Sequence, residues 1–501
     1  MTPPAPTIPR VARRPAPGLF AGVRRVGFLL SALLLVVSFT LAAPLAVGVV
    51  YGETQVIGAF ATALFAGVAI GASGVFLLRT DMKSVSRREG FAVVALGWAM
   101  ICLFGSVPYM LAGSLGPVDA WFESTSGFTT TGASVVSVPE SLPHGILFWR
   151  SMSQWLGGMG FVVLYVALFP LLGVGAARLY RAEVPGLEAV RLRPRISSSA
   201  GVLWPMYLLI SVVLLSLFVL GGMDLFAAAC SMFAVLGTGG FAISGAGAQI
   251  GDSTYLLWVH IVFMWICATS FSLHWAVITG KPGKLWRNSE WRFFSGTLAI
   301  STLLVCALLW ATSDTSFTRA LNDAAFMVVS TGTSTGLPLV DYERWVPAAQ
   351  LILLLLMFMG GCAGSTAGGM KVVRVQLFLK HTLHSGLHTL HPGAVTAPHL
   401  AGRPVSQQTM RSVFSFLGLF MIVFVAGTAA VSLITGMDIL SSLSASIGML
   451  SSNGAGLEDV GPFDNYAWIA APGKLVLTFL MVVGRLELYT VLILFTPGFW
   501  R

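Results

Sequence analysis

Charge is what this 501-residue chain has least of: Asp, Glu, Lys and Arg together make up 10% of it. A soluble domain carries about 25%. No stretch between the apolar runs is large enough for a separate soluble domain, so any cytosolic regulator is expected to be another chain. Cysteine is scarce as well. The five cysteines sit in or at the ends of apolar runs with no paired spacing, which argues against both a disulfide framework and a zinc site. Neither a P-loop nor a dinucleotide fingerprint is found, so no nucleotide site is expected in this chain. No His/Asp/Glu cluster with catalytic or metal spacing stands at the end of an apolar run, which argues against an enzyme.

Hydrophobic residues are plentiful, at 56%. Apolar runs of ~20 residues, enough to span a bilayer, recur from end to end. The expected fold is an all-α polytopic membrane protein. The run after the Pro- and Arg-rich segment Met1–Arg25 is longer than the apolar region of a signal peptide and has no clear small-residue cleavage site, so it reads as a retained span. The net charge of +9 invites a nucleic-acid partner, but its distribution argues for topology. Bases cluster at Arg10–Arg25, Arg79–Arg88, Arg178–Arg195, Lys281–Arg292 and Lys371–Arg411, whereas Gly116–Gly145, Gly221–Ser253 and Gly436–Ala467 contain no Lys or Arg. By the positive-inside rule the basic clusters are cytoplasmic and the glycine loops face outward.

Two spans, Val26–Tyr51 and Ile57–Leu78, precede a unit that occurs four times. Each unit is a span, a short apolar segment, a polar glycine turn and a second span. The expected spans are Phe91–Leu115 and Ile146–Gly173, Val202–Gly221 and Tyr255–Thr279, Phe294–Thr312 and Pro347–Leu379, and Ser412–Ile434 and Ala467–Phe495. The short segments each open with an acid, Asp119, Asp224, Asp323 or Asp438, placed to favour a helix start. They end in TTGA, TGGF, STGL and SNGAG, centred on Gly132, Gly240, Gly336 and Gly454. Similar units in one order imply a fourfold repeat. The expected division is a cytoplasmic tail at 1–25, two extra spans at 26–88, and pore units at 89–195, 196–288, 289–400 and 401–501.

The short segments cannot cross a bilayer. Non-helical backbone at membrane depth persists only inside protein or against water. A re-entrant helix followed by a glycine-containing strand meets that condition, because glycine adopts backbone angles closed to other residues. Four such strands about one axis would make a ring of carbonyls able to replace a cation's water shell. All four units point the same way by charge, which favours a pore over the inverted repeats of secondary transporters.

The stretch ESTSGFTTTGAS (Glu123–Ser134), with Trp121 and Phe122 before it, closely resembles the first pore loop of the Trk-type potassium uptake proteins in the Trk/Ktr/HKT superfamily. FWRSMSQWLGGMG (Phe148–Gly160), GGCAGSTAGGMK (Gly360–Lys371) and GRLELYTVLILFTPGFWR (Gly484–Arg501) resemble the same family. The resemblance covers nearly the whole chain, and the two extra leading spans look like the Trk branch. Leu337 replaces a common aromatic and Ala455 a common proline. The resemblance implies four helix–pore loop–helix repeats around one pore and potassium as the transported ion. It implies a filter at Thr131, Gly132, Gly239, Gly240, Thr335, Gly336, Asn453 and Gly454. It also implies an inner-membrane location, a homodimer and a TrkA-like cytosolic ring that binds nucleotide. The alternatives are an ion-coupled secondary transporter, such as a symporter, or a member permeable to both sodium and potassium.

Gly360–Gly369 carries five glycines, each costing a helix about 1 kcal/mol relative to alanine. Gly360, Gly364 and Gly368 also fit a close helix-packing face. The resemblance favours an intramembrane gating loop that includes Gly360, Gly361, Ala363, Gly364, Ser365, Thr366, Gly368 and Gly369. It makes Arg485 the pore-facing arginine of the fourth unit; the plainer reading is an ion pair with Glu487. Lys474 and Arg150 read as snorkelling or structurally paired. His381, His384, His388 and His391 fall near one helix face, but no carboxylate or cysteine accompanies them, so a solvated helix extension is expected over a metal site.

Overall fold

The computed structural model describes residues 19–80, 86–160, 196–243, 248–251, 253–390, 399–400 and 403–497. The basic segment 178–195, the end of the expected span at 161–173, and His391 lie outside them. The regular structure is helical apart from His399–Leu400 paired antiparallel with Arg403–Pro404. Six described helices are long and apolar enough to cross a bilayer, and two bent pairs raise that number to as many as eight. The chain is an all-α polytopic membrane protein.

The first apolar run divides into Leu19–Thr40 and Ala42–Val50. Pro44 explains the break, since its ring cannot donate to Thr40 and crowds that carbonyl. Thr54–Leu77 follows. The first unit opens on a capping box, in which Ser86 accepts from Glu89 N and Glu89 accepts from Ser86 N. Glu89 also binds Arg25 at 2.6 Å, tying the first span to the unit.

The four units have the same order of elements. Their leading helices are Arg87–Leu111, Ile196–Leu220, Ser289–Thr312 and Gln407–Thr435. Their short helices are Pro117–Phe128, Leu225–Gly237, Phe317–Gly332 and Ile439–Leu450. Their trailing helices are His144–Gly158, Thr254–Cys267, Pro347–Met359 and Ala471–Arg485. The apolar core falls into two large clusters. One joins the first and fourth units to the two extra spans, and the other joins the second and third.

Two expectations are corrected. Asp224 and Asp438 do cap their short helices, and Asp119 lies in the first turn of its helix. Asp323 does not start the third: Ser316 is the cap there, and Asp323 is nearly two turns in, near Arg319 at 3.8 Å. The second correction concerns continuity. The spans expected at Tyr255–Thr279 and Ala467–Phe495 bend by 102° between Cys267 and Phe271 and by 110° between Arg485 and Tyr489. Neither break contains Gly or Pro. The backbone groups freed at Ala268 are taken up by the 360–371 loop, whose Cys362 N donates to Ala268 O at 2.9 Å.

Candidate ion pathway

The four short helices end in one way. Thr130, Thr238, Ser334 and Ser452 are left-handed, with φ of 53–56°. The next N–H in each case donates five residues back: Thr131 to Ser126, Gly239 to Ala234, Thr335 to Ser330 and Asn453 to Gly448, at 2.8–2.9 Å. This is the helix-ending bond of a Schellman motif. Glycine usually takes the left-handed position, yet all four units place a hydroxyl residue there. A non-glycine residue in this region costs on the order of 1–3 kcal/mol and persists only where its surroundings fix it. All four side chains are fully buried.

The glycines come one residue after the carbonyl next to that cap, with φ of 84°, 77°, 68° and 74° at Gly132, Gly240, Gly336 and Gly454. Each packs against the neighbouring unit. A Cβ on Gly132 would collide with Gly239 O, on Gly240 with Thr335 O, on Gly336 with Asn453 O, and on Gly454 with Thr131 O. The contacts run from the first unit through the second, third and fourth and back to the first, so the ring is closed. The eight candidate residues Thr131, Gly132, Gly239, Gly240, Thr335, Gly336, Asn453 and Gly454 therefore meet in one place. The four central glycines line a cavity of ≈ 130 Å³. Against Gly461, one of the lining residues, burial, with Asp464 and Asp341 adding to it, pushes the Glu343 carboxyl above its ordinary range.

Side chains outside the glycine motifs hold these strands. In the first and third units threonine hydroxyls pair two residues apart, Thr129 with Thr131 and Thr333 with Thr335, both at 2.8 Å. In the second, Gln154 donates to Gly239 O at 2.6 Å and accepts from Phe241 N at 3.1 Å. In the fourth, Tyr466 donates to Gly454 O at 2.8 Å and Asn453 to Thr331 O at 2.9 Å. Behind the first strand lies a fully buried ion pair, Arg150 Nε to Glu123 Oε1 at 2.7 Å. Glu123 also accepts from Ser134 Oγ and Val135 N, and Arg150 reaches Ala242 O of the second unit. Arg150 is thus paired rather than snorkelling. Lys474 is also paired, with Asp119 at 2.5 Å.

The Gly360–Gly369 stretch is non-helical, and the helix resumes only at Val372. Gly360, Gly364 and Gly369 have positive φ. The loop is bonded on several sides. Ala363 N donates to Glu290 at 2.7 Å, Thr366 Oγ1 to Cys267 O at 3.1 Å, and Ser365 Oγ to Cys362 O at 2.7 Å. A Cβ on Gly361 would crowd Ala367 and Ala268 O, and one on Gly368 would strike Ser451 O and Ser452. Gly368 N donates to Ser334 Oγ at 2.6 Å. Ser334 is a left-handed cap of the ring, so loop and ring share a hydrogen bond.

Arg485 meets the loop from the other side. Its Nη1 donates to Thr366 O at 2.9 Å, and its Nη2 to Gly157 O at 2.6 Å and Gly158 O at 3.3 Å. The Glu487 carboxylate takes Arg374 instead, at 2.5 Å. A second cavity, ≈ 180 Å³, is lined by Ala363–Gly369, Arg485 and Glu487. His381 and His384 lie on the helix Val372–Leu390, with the His381 ring edge-on to Phe414. No group of three metal-binding side chains occurs among the described residues.

Sequence reading missed Gln154, Tyr466, Ser334 as an acceptor, and the left-handed hydroxyl residues. Only Gln154 had a usable signal, an amide inside an expected membrane span.

Four like units whose glycine turns close into a ring mark a membrane transport protein. The profile of the TrkH family, described as cation transport protein, matches residues 57–500. The chain belongs to that family, whose members are transporters rather than enzymes. It is 37% identical over 449 residues to the Trk system potassium uptake protein TrkH of Escherichia coli, covering 88% of this chain and 92% of that one. It is 36% identical over 487 residues to the TrkH of Halomonas elongata, covering 96% and 99%. The crystal structure of the potassium transporter TrkH from Vibrio parahaemolyticus superposes with a TM-score of 0.85 at 34% identity, covering 96% of this chain and all of that one.

Proposed function

We propose that this chain takes up potassium through a central pore, with the four-unit ring as its selectivity filter and the 360–371 loop as its gate. The observation that carries the reading is the closed cycle in which each central glycine packs on the carbonyl of the next unit. Glycine alone fits there, so the carbonyls stand close enough to act together on one ion. The loop is bonded to the ring through Ser334 and held from behind by Arg485, which suits a gate. The basic segments face the cytoplasm by the positive-inside rule, so the ring cavity opens outward. The similarity to named Trk-system potassium uptake proteins supports potassium as cargo and the inner membrane as location; a homodimer and a nucleotide-binding cytosolic ring as regulator are proposed with it, as the family resemblance implies.

The test is uptake of labelled potassium and labelled sodium into proteoliposomes containing only this chain, for the parent and for Gly336→Ser. The parent should favour potassium. The variant should lose that preference, because its side chain would enter the Asn453 carbonyl. Equal uptake of both ions by the parent, or an unchanged ratio in the variant, overturns the filter reading.

A further inference from the structure

We propose that Gln154, on the trailing helix of the first unit, is a specificity-determining residue that acts through the filter strand of the second. The inference rests on the filter reading. At the position before the central glycine the four units carry Thr131, Gly239, Thr335 and Asn453. Three have polar side chains that bond nearby, to a threonine hydroxyl or to the Thr331 carbonyl. The second unit has none of its own. A Cβ on Gly239 would collide with Cγ, Cδ and Nε2 of Gln154. The glutamine thus occupies the space where the other units keep their own side chain.

Its bonding is specific. Nε2 donates to Gly239 O at 2.6 Å and Oε1 accepts from Phe241 N at 3.1 Å. The flipped amide would set oxygen against oxygen and N–H against N–H, so the network fixes the orientation. The two bonds clamp the peptides on either side of Gly240. Gln154 is fully buried, so water does not compete. Gly239 O is one of the four carbonyls of the closed ring. Among the described residues it is the only one of those four that accepts a side-chain donor. A donor shared with one carbonyl lowers its field at the ion and holds its direction. A weaker, fixed field favours the larger, less strongly hydrated ion, so losing the donor should improve sodium entry.

The experiment measures the ratio of potassium to sodium uptake in proteoliposomes for Q154M, G239T and Q154A/G239T, beside Gly336→Ser. Methionine keeps the volume and removes both bonds, so the ratio should fall about tenfold, the scale of one buried hydrogen bond. G239T should lower it too, since the new side chain displaces the amide. Gly239 lies outside the left-handed region, so threonine does not strain its backbone. The double variant makes room for the threonine but returns no donor to the 239 carbonyl, and Gly237 stands where the first and third units have Thr129 and Thr333, so its ratio should stay low. A purely structural role would reduce both ions alike and leave the ratio unchanged. If Gly336→Ser loses preference while both single variants keep it, Gln154 is packing and the filter reading stands. If neither Gly336→Ser nor the Gln154 variants change it, both fall. Should Q154M not fold, G239T and its double still decide: a lowered ratio in both upholds the proposal, and a ratio that G239T leaves unchanged or that the double restores overturns it.

Discussion

Arg485→Met offers the sharpest reading of the gate. The substitution keeps an apolar stem of similar length and removes the guanidinium. Of the bonds described for Arg485, the one to Thr366 O touches the loop, at 2.9 Å. The others, to Gly157 O and Gly158 O, join the last helix to the end of His144–Gly158 and leave the loop alone. Their loss weakens the fold in either gate state, whereas loss of the Thr366 bond destabilises the closed loop alone. A hydrogen bond from a charged donor contributes about 1.5–3 kcal/mol. At 1.4 kcal/mol per decade, the open-to-closed ratio should rise roughly 10- to 150-fold. Removing a fixed positive charge beside the loop adds in the same direction. Flux rises by that factor while the open fraction is small. The assay is labelled potassium flux into proteoliposomes without any regulator, with a variant lacking residues 363–368 as reference for a missing loop. Combining the two changes should add little, because both remove one closed state. A monodisperse Arg485→Met protein with parental flux, beside a deletion that conducts, would refute the role given to Arg485. Parental flux in both would refute the gate.

Ser334→Ala should also raise flux, since it leaves Gly368 N–H without its acceptor and so destabilises the closed loop by about 1–3 kcal/mol; unchanged flux would uncouple loop from ring. Glu123→Gln should lower unfolding stability by about 3–5 kcal/mol, because it leaves the Arg150 charge buried and uncompensated. Glu123→Gln with Arg150→Met should recover much of the loss in a thermal melt, and a double variant no better than the single would argue that the pair is not a unit. Neutralising Arg191, Arg193 and Arg195 together should weaken co-purification with a cytosolic regulatory ring, more so at high salt; undiminished binding assigns those charges to topology.

Much of this arrangement was legible before the fold because glycine has few substitutes. Gly132, Gly240, Gly336 and Gly454 stand at positive φ against backbone, where no side chain fits, so the requirement leaves a visible mark four times over. The glycines of Gly360–Gly369 left a helix break and a packing face equally open, and the family resemblance favoured the loop and gave Arg485 its place near it. The left-handed Thr130, Thr238, Ser334 and Ser452 were not legible. Serine and threonine are common in any polar turn, and only their shared hydrogen-bond pattern reveals the strained cap. The bends after Cys267 and Arg485 were hidden because the apolar run continues through them, so composition reads one span where tertiary bonds impose two pieces. Asp323 misled for the opposite reason: an acid near a helix start resembles a cap, but Ser316 holds that place. Gln154 could be seen as polar but not as aimed, since its partners are 85 and 87 residues away.

The central claim is that the closed ring of four carbonyls binds the transported ion. Anomalous diffraction from crystals grown in rubidium, which substitutes for potassium, tests it directly. The account predicts a peak on the axis enclosed by the carbonyls of Thr131, Gly239, Thr335 and Asn453, lost on exchange into sodium. Rubidium bound elsewhere in the molecule, with no peak at that ring, would contradict it.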